Sequence, residues 1–138
     1  MGKDILQGSC LCGDVTFEVK APLNRFVHCH CSRCRKATGS AHASGFYVSP
    51  EQLKWTSGEH LLVRFDLSSA RSFSTTFCKI CGAPLPHHTR SGREIIIPAG
   101  SIDQEPKVLP ESHVFWDSRP RWSCCNEDLP RFSEYPSD

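Results

Sequence analysis

The sequence has no long hydrophobic run. Its 138 residues are 38% apolar, and no segment approaches a membrane span. The opening residues, MGKDILQGSCLCG, lack the apolar stretch of a secretory signal, so a cytoplasmic location is expected. An excess of one charge sign is also missing. Sixteen basic and fifteen acidic residues leave a net charge of +1, which gives bulk electrostatics no hold on nucleic acid or an anionic membrane. There is no internal repeat and no low-complexity stretch. The length suits a single domain, residues 1–138. Ten scattered prolines and nine glycines, with a thin apolar supply, point to many short elements that metals help to stabilise.

Cysteine is what the chain has in excess. There are nine, an odd number. In a chain without an export signal, clustered thiols are more often metal ligands than disulfides.

Short β-rich runs bounded by turn residues recur. Asp14 to Lys20 places Val15, Phe17 and Val19 on one face, and Arg25 to His30 leads into a cysteine cluster. Further strands are expected at 44–48, 61–65, 72–77, 94–98 and 113–116. Ser49-Pro50 reads as a helix start of at most two turns, and a second short helix fits Ser32 to Ala37. The tail from Cys124 to Asp138, with Pro130 and Pro136, reads as irregular. The chain is expected to be mainly β, with one or two short helices.

Four cysteines fall in two pairs, Cys10-Leu11-Cys12-Gly13 and Cys78-Lys79-Ile80-Cys81-Gly82. Cys-x-x-Cys followed by glycine is a zinc-knuckle turn, in which glycine admits the backbone that aims amide N–H groups at sulfur. Cys10 and Cys12 would complete the four thiolates that tetrahedral zinc prefers, a closed structural site. The second cluster is Cys29-His30-Cys31-Ser32-Arg33-Cys34. Three thiols leave the fourth position of a zinc ion for water or substrate, the arrangement of catalytic zinc. Arg33, Arg35 and Lys36 stand close enough to offset its charge or bind a substrate carboxylate. Three alternatives stay open: His30 as a ligand, although strand alternation points it away; Cys124 or Cys125 folding back as the fourth; and a cluster without metal.

These blocks resemble the glutathione-dependent formaldehyde-activating family, which includes the related domain of centromere protein V. Gly8 to Gly13, Cys29 to Lys36 and Phe77 to Gly82 carry the likeness, with His113-Val114-Phe115-Trp116, Pro120-Arg121-Trp122 and Leu129-Pro130-Arg131-Phe132 at the end. The resemblance implies an Mss4-like, zinc-stapled β-sheet fold with two zinc ions per chain. It places a structural zinc on Cys10, Cys12, Cys78 and Cys81 and a catalytic one on Cys29, Cys31 and Cys34. It also implies carbon–sulfur lyase chemistry, joining glutathione and formaldehyde into S-hydroxymethylglutathione, with a small thiol as partner. A non-catalytic zinc-binding adaptor and a thiol or zinc buffer are the rival expectations. The cytidine-deaminase pattern fails, because no His-x-Glu is present and Phe77 precedes Cys78.

Among the remaining polar residues, His87 and His88 are candidates to line the open site, against an ordinary solvated loop. His113 is raised by its place in the shared ending. His42 and His60 read as ordinary, Trp55, Trp116 and Trp122 as core or pocket wall, and Arg64, Arg71, Arg90 and Arg93 as solvated.

Overall fold

The computed structural model describes residues 4–123 and 127–136. Among them are eleven short strands and one α-helix, in a mainly β architecture. One antiparallel sheet has the order β1-β2-β5, from β1 (Ile5–Ser9), β2 (Thr16–Lys20) and β5 (Leu53–Ser57). The central sheet runs β11-β3-β4-β10-β9, from β3 (Asn24–Cys29), β4 (Ala43–Val48), β9 (His87–His88), β10 (Ile95–Pro98) and β11 (Ser112–Val114). Its β11–β3 pair is parallel and the others are antiparallel. A third sheet joins β6 (Leu62–Asp66), β7 (Ser74–Cys78) and β8 (Pro84–Leu85). The helix α1 (Ser32–Thr38) follows β3 directly. Among the described residues no helix is long and apolar enough to cross a membrane.

The core is assembled by period-two alternation. Val15, Phe17 and Val19 are buried, as the alternation predicts, and so are Phe46, Val48, Ile95 and Ile97. Register sets Val48 opposite Ile95 and Phe46 opposite Ile97. The Phe26 ring lies 4.1 Å from that of Phe46.

β1 and β5 lie outside the expected strands. β1 carries no alternating apolar pattern, and Gly8 is its buried residue. Phe17 is its register partner, and a Cβ at Gly8 would lie 2.1 Å from that ring. The strand therefore holds its place because an aromatic covers a glycine. β5 follows Ser49-Pro50, where a helix of up to two turns was expected. A single 3-10 turn, Pro50–Gln52, forms instead. Gln52 Oε1 accepts from the Ser49 amide at 2.9 Å, while its Nε2 donates to Lys20 O and Pro22 O at 2.6 and 2.8 Å. These bonds dock the turn at the end of β2 and release Leu53 to pair with Val19. Trp55 then meets Phe17 edge-on, with centroids 5.7 Å apart.

Arg90 corrects the expectation of a solvated side chain. It donates to the carbonyls of Leu67, Ala70, Arg71 and Phe73 at 2.6–3.2 Å, organising the β6–β7 connection. Arg64 bonds Asp66, Ser74 and the His88 carbonyl. His87 and His88 form an edge strand rather than a loop, pairing with Ile96 and Ile95. Burial, then the Arg64 charge and His88, lowers the His87 imidazole from 6.5 to about 4.

Gly8→Ala is expected to destabilise the chain by about 1–3 kcal/mol through overpacking against Phe17, read by urea denaturation. His87 gives a pH signature. Its folded value lies below the unfolded one, so between about 4 and 6.5 the unfolded chain binds the extra proton. Its contribution is full above 6.5 and is lost as pH falls through that window. His87→Gln should therefore flatten the decline of stability over the same range relative to wild type; an unchanged slope would contradict the assignment.

Candidate metal centres

The two knuckles meet across the fold. Gly13 and Gly82 adopt φ of 85° and 76°, and their amides bond Cys10 O and Cys78 O at 3.1 and 2.8 Å. This tight turn is what a following glycine allows. The sulfurs of Cys10, Cys12, Cys78 and Cys81 all lie within 4.8 Å of one another. Cys10 Sγ is 3.6 Å from Cys12 Sγ, which is 4.0 Å from Cys78 Sγ. Thiolates around tetrahedral zinc at about 2.3 Å would stand about 3.8 Å apart, so these edges fit that ion. The Val15 and Ile80 amides donate to Cys10 and Cys78 at 3.4 and 3.3 Å. Such bonds orient and stabilise sulfur carrying negative charge.

The ionisation pattern reflects crowding. Amide bonds from Ala83 and Cys12 hold Cys81 down to about 6. The Asp14 amide also favours the Cys12 thiolate, but burial and its three sulfur neighbours push that thiol up to about 12. Four thiols this close cannot all ionise without a cation among them, and a bound cation displaces the shared protons.

The second group is Cys29, Cys31 and Cys34, again with sulfurs within 4.8 Å of one another. Strand β3 delivers Cys29, Cys31 caps α1, and Cys34 lies in its first turn. The Cys34 amide donates to Cys31 Sγ at 3.3 Å. The hydrogen bond from Cys34 brings Cys29 down to about 6, and the same bond, with burial, drives Cys34 far up. All three residues are half-buried, whereas Cys10 and Cys78 of the first group lie in the core. Among the described residues no further His, Cys, Asp or Glu joins the three. Cys124 and Cys125 lie outside the described residues.

His30 does not join the sulfurs. Cys29 pairs with Val114 and Ala43, while His28 pairs with His113 and Ser44, so sulfur and imidazoles occupy opposite faces of the sheet. His30 is buried, and its Nε2 lies 2.9 Å from His113 Nδ1. The His42 ring packs 4.2 Å from His28 and 4.9 Å from His30, and Trp116 stands 4.7 Å from His113. Arg119 covers Trp116 at 4.1 Å. Ser44 Oγ bridges His28 Nδ1 and His42 Nδ1 at 2.8 and 3.2 Å. Burial first, then the neighbouring imidazoles, lowers His28, His30 and His42. This cluster had no sequence signal at His42, which is 14 residues from His28. Trp122 is exposed, and so are Arg33 and Lys36. A cleft of about 450 Å³ beside Ile5, Leu6, Pro22 and Val108 has no cysteine or histidine in its lining.

Short sheets carrying two thiol clusters, each of a size and donor type that could hold a metal ion, define a small β protein with two candidate metal centres. Comparison with known proteins makes this specific. Residues 5–118 match the family described as glutathione-dependent formaldehyde-activating enzyme, and the chain belongs to that family. A Halomonas elongata protein, provisionally named a glutathione-dependent formaldehyde-activating enzyme, is 31% identical over 124 residues. The match covers 86% of this chain and 79% of that one. A crystal structure of a Rhodobacter sphaeroides protein superposes with a TM-score of 0.61 at 24% identity. It covers 78% of this chain and 98% of the other, a likeness of fold.

The different burial of the two groups predicts unequal consequences for thiol removal. Cys78→Ser should cost one metal ion per chain and about 3 kcal/mol or more of stability. Cys31→Ser should cost the other ion and leave cooperative unfolding nearly intact. Elemental analysis beside thermal denaturation checks both.

Proposed function

We propose that the chain is a zinc-dependent carbon–sulfur lyase acting on a thiol–aldehyde adduct, with glutathione as thiol and formaldehyde as aldehyde. The observation that carries this reading is the three-thiol group of Cys29, Cys31 and Cys34, half-exposed and without a fourth donor among the described residues. Family membership and the name of the Halomonas relative support glutathione and formaldehyde as the substrate pair.

Zinc held there would supply an open position for the sulfur of an incoming thiol and favour its thiolate at neutral pH. The chain's own residues do the rest. Cys29, already about 6, would stay ionised as a ligand, and the Cys34 amide would fix the Cys31 sulfur. In the direction of synthesis the substrate sulfur bonds to the aldehyde carbon, and the proton lost from the thiol ends on the former carbonyl oxygen. Cleavage is the reverse, with no net oxidation. The four-thiol group, with Cys10 and Cys78 in the core, would take the second zinc and a structural role.

Exchange between glutathione, formaldehyde and S-hydroxymethylglutathione, followed by NMR, tests this. The zinc-loaded wild type should accelerate exchange over the uncatalysed background. Cys31→Ser and Cys34→Ser should each reduce that acceleration by about 100-fold or more. Acceleration that survives both substitutions would sink the proposal.

A further inference from the structure

The strand that delivers Cys29 carries a strained residue near its other end. Arg25 has φ of 49°, in the left-handed region that disfavours a side chain. It sits where the register of β3 against β4 shifts between Asn24 and Val27. A bulge of this kind re-aims a side chain. Here it lays the Arg25 guanidinium 3.9 Å over the centre of the Tyr47 ring. Tyr47 shares a face of β4 with Gly45 and Ala43, and Ala43 is the register partner of Cys29. Cation, ring and sulfurs therefore stand on one side of the central sheet, the side away from the histidines.

The guanidinium is only partly used. Its Nη1 meets the Glu94 carboxylate at 3.2 and 3.4 Å, and 55% of the side chain stays accessible. Nε and Nη2 make no other hydrogen bond among the described residues, leaving the pair of parallel donors that a carboxylate accepts. An exposed ion pair adds little by itself, so it does not account for a non-glycine residue held in this backbone conformation. Strand geometry sets the scale. Tyr47 is four residues from Ala43, about 13 Å of backbone. A tripeptide thiol with sulfur on its middle residue extends about 7 Å of backbone to either end, plus the thiol arm. The two spans are of the same order once the arginine and cysteine side chains are allowed for.

The geometry points to Arg25, seated on Tyr47, as a specificity-determining residue that binds a carboxylate of the thiol substrate while its sulfur sits among Cys29, Cys31 and Cys34. This inference rests on the thiol-binding reading above. It separates carboxylated thiols from simple ones, because a thiol without a carboxylate has nothing to offer Arg25. Glu94 occupies only Nη1, and its negative charge opposes an incoming carboxylate.

Isothermal titration of the zinc-loaded full chain with reduced glutathione, glutathione diethyl ester and 2-mercaptoethanol tests it. Arg25→Asn removes the guanidinium and suits the backbone, since asparagine tolerates positive φ. It should weaken glutathione about tenfold and leave the diethyl ester and mercaptoethanol unchanged. Glu94→Gln removes the opposing negative charge beside the guanidinium and should tighten glutathione severalfold, a gain that a merely structural role would not produce. If wild type and both variants bind glutathione equally while thiol binding persists, Arg25 is only a surface ion pair and the inference is overturned. If none of the three thiols binds the wild type, the thiol reading itself fails and takes this inference with it. A thermal midpoint for each variant shows that the chain is folded in every titration.

Discussion

Like charges concentrated at the four-thiol cluster are the constraint on which the rest of the chain is arranged. Cys10 and Cys12 lie between β1 and β2, while Cys78 ends β7 and Cys81 follows it, so the cluster brings together segments more than sixty residues apart. Thiols this close suppress one another's ionisation, as the opposite displacements of Cys81 and Cys12 show. A divalent cation turns that mutual repulsion into shared attraction, and in a chain of thin apolar content such a centre supplements the core. Cys10 and Cys78 are themselves core residues, touching the same apolar cluster as Phe17, Leu85 and Ile97. Packing and metal-binding chemistry are therefore one structural unit at this end of the molecule.

The central sheet separates two kinds of chemistry by alternation alone. Odd-numbered Cys29 faces one way with Ala43 and Tyr47, and His28 faces the other with Ser44 and His113. Burial and mutual repulsion lower the His28, His30 and His42 imidazoles, which are grouped on that one face. The opposite face carries Cys29, whose sulfur is grouped with those of the half-buried Cys31 and Cys34. The bulge at Arg25 is the one place where β3 departs from regular pairing with β4, and it serves that same face.

Local spacing decides what a short segment can do, and here it decided much. Cys-x-x-Cys-Gly and the three thiols between Cys29 and Cys34 identify their ligand groups before any fold is known, because each turn is built from residues within six positions. The alternation of Val15, Phe17 and Val19 likewise specifies a buried face, and α1 lies where Ser32 to Ala37 suggests it. That Cys10 and Cys12 belong with Cys78 and Cys81, rather than with the middle cluster, was legible from donor count and family likeness. The opposite facing of His30 was legible from strand period.

What only the tertiary structure decided involves partners distant in sequence. β1 is covered at Gly8 by Phe17, and β5 is docked where Gln52 reaches the carbonyls of Lys20 and Pro22, contacts that no single segment contains. Arg90 looks like any surface arginine until the carbonyls of residues 67–73 curl around it. His42 joins His28 and His30 only when β4 is set in register with β3. Arg25 is the same kind of case, since neither its left-handed backbone nor its seat on Tyr47 has any mark in the surrounding residues. Which thiols can group together is largely a short-range property of spacing and residue type. The direction each ligand faces, and what stands beside it, depends on register between strands, which no single segment contains.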